Sequence, residues 1–164
     1  MLNIDRRQAT IGTSLNGRTQ NHGDDKVPAL DIELEGIVLS ENELNALLAD
    51  PHATNALFEP PGGSSTLACP RFPQLKPFVF KEKIKGARVS IWLSGEKAPI
   101  VLADCNVAKI TLEPQEGGTT ALSCQVQSTQ PADKSVAKLF EQMGHTVSIE
   151  IEELQADIED KAAA

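Results

Sequence analysis

Between Asn16 and Ser40 a polar, Gly-containing lead-in passes into an alternation of apolar and acidic residues that limits the fold more than any other stretch. Leu30, Ile32 and Leu34 fall on one side and Asp31, Glu33 and Glu35 on the other, which is the period-2 pattern of a strand with one buried face. Gly36 interrupts the alternation, and Ile37 and Leu39 resume it in a shifted phase, so a β-bulge is expected there. The pattern recurs downstream. Val89, Ile91 and Leu93 alternate with Arg88, Ser90 and Trp92, and Ala108, Ile110 and Leu112 with Val107, Lys109 and Thr111. Leu122, Cys124 and Val126 alternate with Ser123, Gln125 and Gln127, and Val147, Ile149 and Ile151 with Ser148, Glu150 and Glu152. Phe78 to Phe80 and Ile100 to Ala103 add two shorter strands, and Pro114 to Gly118 reads as a hairpin connection.

Two helices interrupt this β pattern. Ser40 with Glu43 three residues on forms a capping box, and Leu44, Leu47 and Leu48 mark one buried face. Asp50-Pro51 ends that helix, and Ala53 to Phe58 holds at most one more helical turn. Pro131 suits the first position of the second helix, with Val136, Leu139, Phe140 and Met143 as its buried stripe and Gly144 as its stop. Glu59 to Pro73, rich in Pro, Gly and Ser, reads as a loop. Residues 1–26 are polar and read as an extended arm with one short strand at Ala9 to Ile11, and residues 155–164 as an acidic and alanine tail. The expectation is a single domain over 27–154, mainly β or α+β: an antiparallel β-sandwich or partly open barrel with two short helices. Its core should hold Ile32, Leu34, Val89, Ile91, Ile110, Leu122, Val126, Leu139, Phe140 and Ile149.

The motif that carries most of the polar chemistry lies just before the first strand. Asn16-Gly17-Arg18-Thr19, then His22-Gly23-Asp24-Asp25, then Val27-Pro28-Ala29-Leu30-Asp31-Ile32 read N-x-R-T-x-x-H-G-x-x-x-V-P-A-x-D-I. This resembles the opening signature of a family of small proteins of tailed bacteriophages and prophages. Val101 to Cys105 and Leu112 to Ser123 extend the likeness over most of the chain. The resemblance implies a phage origin, a site of action in the host cytoplasm and a place among early DNA-metabolism functions. It carries over no catalytic residue.

Composition fits that setting. A net charge of −8 favours solubility and repels the nucleic-acid backbone at long range, though it leaves a locally basic surface free to act. No apolar run reaches the length of a membrane span, and three widely spaced cysteines, Cys69, Cys105 and Cys124, fit reduced thiols in a cytosol.

Catalytic readings find little support. His22 with Asp24 and Asp25 has ligand chemistry, but Gly23 in their midst more simply marks a tight turn. His52 and His145 lack the spacing of a zinc helix, and no C-x-x-C occurs. Cys124 falls on an inward strand face, where a thiol is inert packing. Gly62-Gly63-Ser64-Ser65 lacks the G-K-[ST] ending of a phosphate loop. The sequence therefore calls for no enzyme, cofactor or metal.

Binding readings fare better. Arg71, Lys76, Lys81, Lys83, Lys85 and Arg88 cluster with Phe72, Phe78, Phe80 and Trp92 interleaved, the residue types of a single-strand nucleic-acid surface. Solvated lysines over core phenylalanines are the plainer account of the same residues. Arg18, His22, Asp24 and Asp25 together with Glu150, Glu152 and Glu153 are the candidate protein-partner residues, although such glutamates also guard edge strands. The leading expectation is a non-enzymatic phage protein accessory to DNA replication or recombination, binding single-stranded DNA or a phage or host DNA-processing protein. The alternatives are an inhibitor of a host anti-phage defence nuclease and a small structural virion component. Self-association stays open.

Overall fold

The computed structural model describes residues 2–129 and 131–154, with the backbone alone at 20–22 and 25–27. The chain runs β1 (Asn3–His22), β2 (Asp25–Leu39), α1 (Glu41–Leu47), α2 (Ala53–Leu57), β3 (Phe58–Glu59), β4 (Cys69–Pro70) and β5 (Phe78–Val79). It continues through β6 (Ile84–Trp92), β7 (Ile100–Pro114), β8 (Thr120–Thr129), α3 (Asp133–Glu141) and β9 (Thr146–Glu153). All strand pairings are antiparallel, and six of them close a ring in the order β1, β2, β8, β7, β6, β9 and back to β1. The mainly-β, antiparallel expectation holds. β5 stands outside the ring on β7, and β3 with β4 forms a separate two-stranded sheet.

The ring closes because its long strands serve different neighbours in turn. β1 pairs with β9 through Asn3 to Thr10, then with β2 from Thr10 to His22. β7 pairs with β6 from Ile100 to Val107 and with β8 from Asn106 to Pro114. Such hand-overs need bends, and bulges supply them. Gly36 has φ 70, where β2 slips register against β8 between Leu34 and Ile37, as its phase shift requires. On β7 the same work falls to Asp104 (φ 50) and Lys109 (φ 49). One aliphatic core fills the interior, with Phe58 the single aromatic among its fully buried side chains.

Four expectations are corrected. Residues 3–22 are no arm: Leu2, Ile4, Ala9 and Ile11 are buried, and β1 carries two ladders. Register shifts between Ile4 and Arg7 and between Ile11 and Leu15 break the alternation, so no period-2 pattern marks this strand in the sequence. Ile100 to Ala103 and Val107 to Leu112 belong to one strand, joined through the Asp104 bulge. Pro131 precedes the helix, whose N-cap is Ala132 and whose first residue is Asp133. Phe140 is 54% exposed although Leu139 beside it is fully buried. The helix sends Val136 and Leu139 toward the core, where Met143 joins them from beyond the C-cap, and Phe140, a further 100° round from Leu139, misses it.

The Ser40–Glu43 capping box forms as expected, and its Glu43 also receives Arg7 of β1 through Nη1 and Nη2, both at 2.6 Å. The Glu59 to Pro73 loop is held at both ends, by the Phe58–Pro70 and Glu59–Cys69 pairs. The acidic and alanine tail, 155–164, lies outside the described residues.

Candidate nucleic-acid and partner surfaces

Lysine side chains converge where β5 and the start of β6 cross β7. The Phe80 amide donates to the Ile110 carbonyl at 2.7 Å, and Ile84 pairs with Val107, so residues 81–83 arch over Ala108 and Lys109. The cleft beneath this arch, of about 540 Å³, is lined by Phe80, Lys81, Glu82, Lys83, Lys85, Ala108 and Lys109. Among the described residues, Lys81, Lys83, Lys85 and Lys109 make no ion pair. Four lysines against the one carboxylate of Glu82 leave this lining net cationic, which favours an anion.

Lys109 was missed as a site residue because the sequence shows only an outward lysine on a strand. Its backbone gives it away. A left-handed conformation costs a non-glycine residue roughly 1–2 kcal/mol, and such outliers gather at binding sites. Here the bulge between Ala108 and Thr111 breaks the pairing with β8 at the residue that lines the cleft.

The other members of the expected nucleic-acid surface are dispersed. Arg71 donates to the Asn55 and Phe58 carbonyls at 3.0 and 3.1 Å and lies 3.7 Å from Glu59, which ties α2 and β3 to β4. Lys76 is exposed and lies outside the cleft lining. Arg88 meets Glu152 at 3.5 Å. Trp92 sits at the far end of β6, roughly 20 Å of strand from Lys85. Arg6 covers its ring, with Cζ 4.4 Å from the centroid. The ring is thus occupied by a cation–π contact.

The partner residues separate as well. Arg18 Nε lies 2.9 and 3.1 Å from the two Asp31 carboxylate oxygens, and Asp31 is mostly buried. Arg18 is thereby a cross-strand positioning group on the β1–β2 hairpin. Gly23 (φ 67) and Asp24 form the two-residue turn between His22 and Asp25, as the Gly predicted. The side chains of His22 and Asp25 lie outside the described ones.

Glu150 and Glu152 line a shallow depression of about 180 Å³ with Asn3, Ile4 and Asp5. Glu153 does not share that face: it accepts the Leu2 amide and lines a second cleft with Lys83 and Lys85. This second cleft, about 490 Å³, has an apolar floor that includes Leu2, Leu47 and Ile84 and ends at Leu154.

Burial pushes the Cys124 thiol up to about 12. It pushes Cys105 up to about 11, with a Ser128 hydrogen bond opposing and Asp104 adding to the rise. Both are protonated at neutral pH and unfit as nucleophiles. No helix among the described residues is long and apolar enough to cross a membrane. No protein-family model, curated protein or solved structure matches the chain. What these surfaces do must follow from their own residues.

Proposed function

We propose that this chain is a non-enzymatic nucleic-acid-binding protein that takes single-stranded DNA in the lysine cleft, as an accessory to phage DNA replication or recombination. One observation supports the reading most: Lys81, Lys83, Lys85 and Lys109 surround one cleft and have no ion-pair partner among the described residues. Phosphates spaced along a flexible strand can meet several ammonium groups at once. Phe80, half-buried in the lining, offers an apolar surface for a base edge. The phage setting rests on the resemblance of Asn16 to Ile32 described above.

Titration of a fluorescent oligonucleotide at two salt concentrations tests the proposal. Each lysine that neutralises a phosphate adds about 0.7 to the slope of log affinity against log salt. Replacing Lys81, Lys83, Lys85 and Lys109 by Ala should therefore lower the slope by about 3. Flat titrations of the unaltered chain at both salt concentrations would remove the reading.

A second reading is inhibition of a host defence nuclease, with the acidic depression of Asp5, Glu150 and Glu152 seated on a basic DNA-binding surface. It predicts no oligonucleotide binding and a salt-sensitive complex with a basic protein, weakened by Asp5→Asn with Glu150→Gln.

A further inference from the structure

The two edges of β1 are used unequally. One edge pairs with β2 without a break from Leu15↔Ile32 to His22↔Asp25. The other pairs with β9 only from Asn3 to Thr10, and Ile11 adds a last exchange with Gly144 and His145, at 2.8 and 3.1 Å. From Leu15 to His22 no strand among the described residues pairs with that second edge. α3 stands off this part of the hairpin, with a cleft of about 540 Å³ lined by Gly17, Arg18 and Thr19 on one side and Val136 and Ala137 on the other. In an antiparallel strand every second residue aims both its N–H and its C=O at the same edge. The run therefore presents a row of backbone groups ready for another strand.

Sheets guard such edges with charges, prolines or bulges. The other strand of this hairpin is guarded. Its described ladder with β8 starts at Ala29, and Asp25, Lys26 and Pro28 precede that point. β1 lacks these devices, and its bulge falls between Ile11 and Leu15, before the run. In a chain with 23 acidic residues, Arg6 to Gly23 holds none, and it holds no lysine or proline. The one charge between Leu15 and Asn21 is Arg18, which Asp31 matches at 2.9 Å.

We propose that Leu15 to His22 is a self-association edge, on which the same edge of a second copy pairs antiparallel about a two-fold axis. An antiparallel edge is complementary to itself, so one contact made twice satisfies both copies. Charge favours the same occupant. Two chains of net −8 repel one another, whereas this run carries no carboxylate and can approach its own copy. A basic partner, drawn to the acidic surfaces elsewhere, finds nothing here to hold it. The guarded β2 edge keeps the contact from propagating, so assembly closes at two copies. The edge shares no residue with the lysine cleft, and its pairing does not depend on what that cleft binds.

Sedimentation equilibrium of the full chain tests the pairing, with hydrogen exchange of the Leu15 to Thr19 amides as a second readout. Paired edges bury little area, so the contact is weak and should show at about 0.1–1 mM. The mass should rise from 17.6 kDa toward twice that value and stop there. Alternate amides of the run should exchange about ten-fold more slowly in the concentrated sample than in a dilute one. Gly17 has open space where a Cβ would stand, and Thr19 is exposed, so both accept a longer side chain. Gly17→Glu with Thr19→Glu sets like charges across the axis and should keep the chain monomeric. Gln115→Glu with Thr119→Glu adds the same charge by the opposite end of β8 and should dimerise as the natural chain does. A natural chain that stays at 17.6 kDa throughout overturns the proposal, and freely exchanging edge amides would then leave the edge to a strand of another protein. A dimer that survives Gly17→Glu with Thr19→Glu, or a mass that climbs past two copies, places the contact elsewhere and overturns it as well.

Discussion

Leu139 and Phe140 are neighbours on α3 with opposite surroundings, fully buried and 54% exposed respectively. Leu139→Ala should cost about 2–5 kcal/mol, the range for emptying a buried leucine site. Phe140→Ser should stay within about 0.5 kcal/mol, as surface changes do. Urea denaturation of the two variants checks both, and equal losses would show the helix face to be misassigned. The buried thiols give a pH-dependent counterpart. In the unfolded chain they titrate near 9.0, whereas in the fold they are raised to about 11 at Cys105 and about 12 at Cys124. Above pH 9.0 the unfolded state thus binds fewer protons than the native state, and stability falls with rising pH. The stabilisation is complete below that value and is lost as pH rises through the folded-state values, at up to about 1.4 kcal/mol per pH unit for each thiol. Urea midpoints at about pH 8 and about pH 10.5 should differ more for the natural chain than for a Cys105→Ala, Cys124→Ala variant. An equal difference would mean that the thiols are not sequestered.

Among the elements, those with an unbroken period were legible and those that change neighbours were not. β2, β8 and β9 keep their alternation over most of their length, and Gly36 announced its own bulge. β1 was obscured because its register slips twice, and its N-terminal half carries exposed Asp5 and Arg6 and half-buried Arg7 between buried Ile4 and Ala9. β7 looked like two strands because Asp104, a residue that tolerates left-handed backbone, shifts the phase without any glycine to mark it. The β7–β8 connection hides another constraint. Gly118, at φ 85, passes so close to the long loop that a Cβ would stand 2.3 Å from the Leu67 carbonyl oxygen. The neighbouring Gly117 amide donates to Ala68 at 2.8 Å. Gly118→Ala should accordingly cost about 1–3 kcal/mol through backbone strain alone, with the clash adding to it. Gly62→Ala, in the open part of the same loop, meets nothing within 4 Å and should be tolerated. Thermal unfolding of the pair decides the point, and a neutral Gly118→Ala would show that the loop does not pack on the hairpin.

At the scale of the whole molecule, charge is sorted by the ring. The Lys81–Lys85 cluster was legible as a locally basic stretch, but its extent was not. Sequence proximity enrolled Arg71, Arg88 and Trp92, which the fold commits to Glu59, Glu152 and Arg6. It omitted Lys109, which only the β6–β7 pairing and the arch at 81–83 bring to the cleft. Trp92→Ala should for this reason leave oligonucleotide binding unchanged. Lys109 allows a sharper test, because its strain and its charge can be separated. Lys109→Gly relieves the left-handed backbone at φ 49 and should raise stability by up to about 1 kcal/mol. The same change removes one cation and should reduce the salt slope of oligonucleotide binding by about 0.7. A bulge kept only for ring closure predicts the gain in stability with no change in binding. A lysine held there for a phosphate predicts both, and Lys109→Arg, which keeps the charge and the strain, should restore the slope without the stability. If Lys109→Gly gains stability and binds with an unaltered slope, the cleft ends at Lys85 and the strain at Lys109 serves the fold alone.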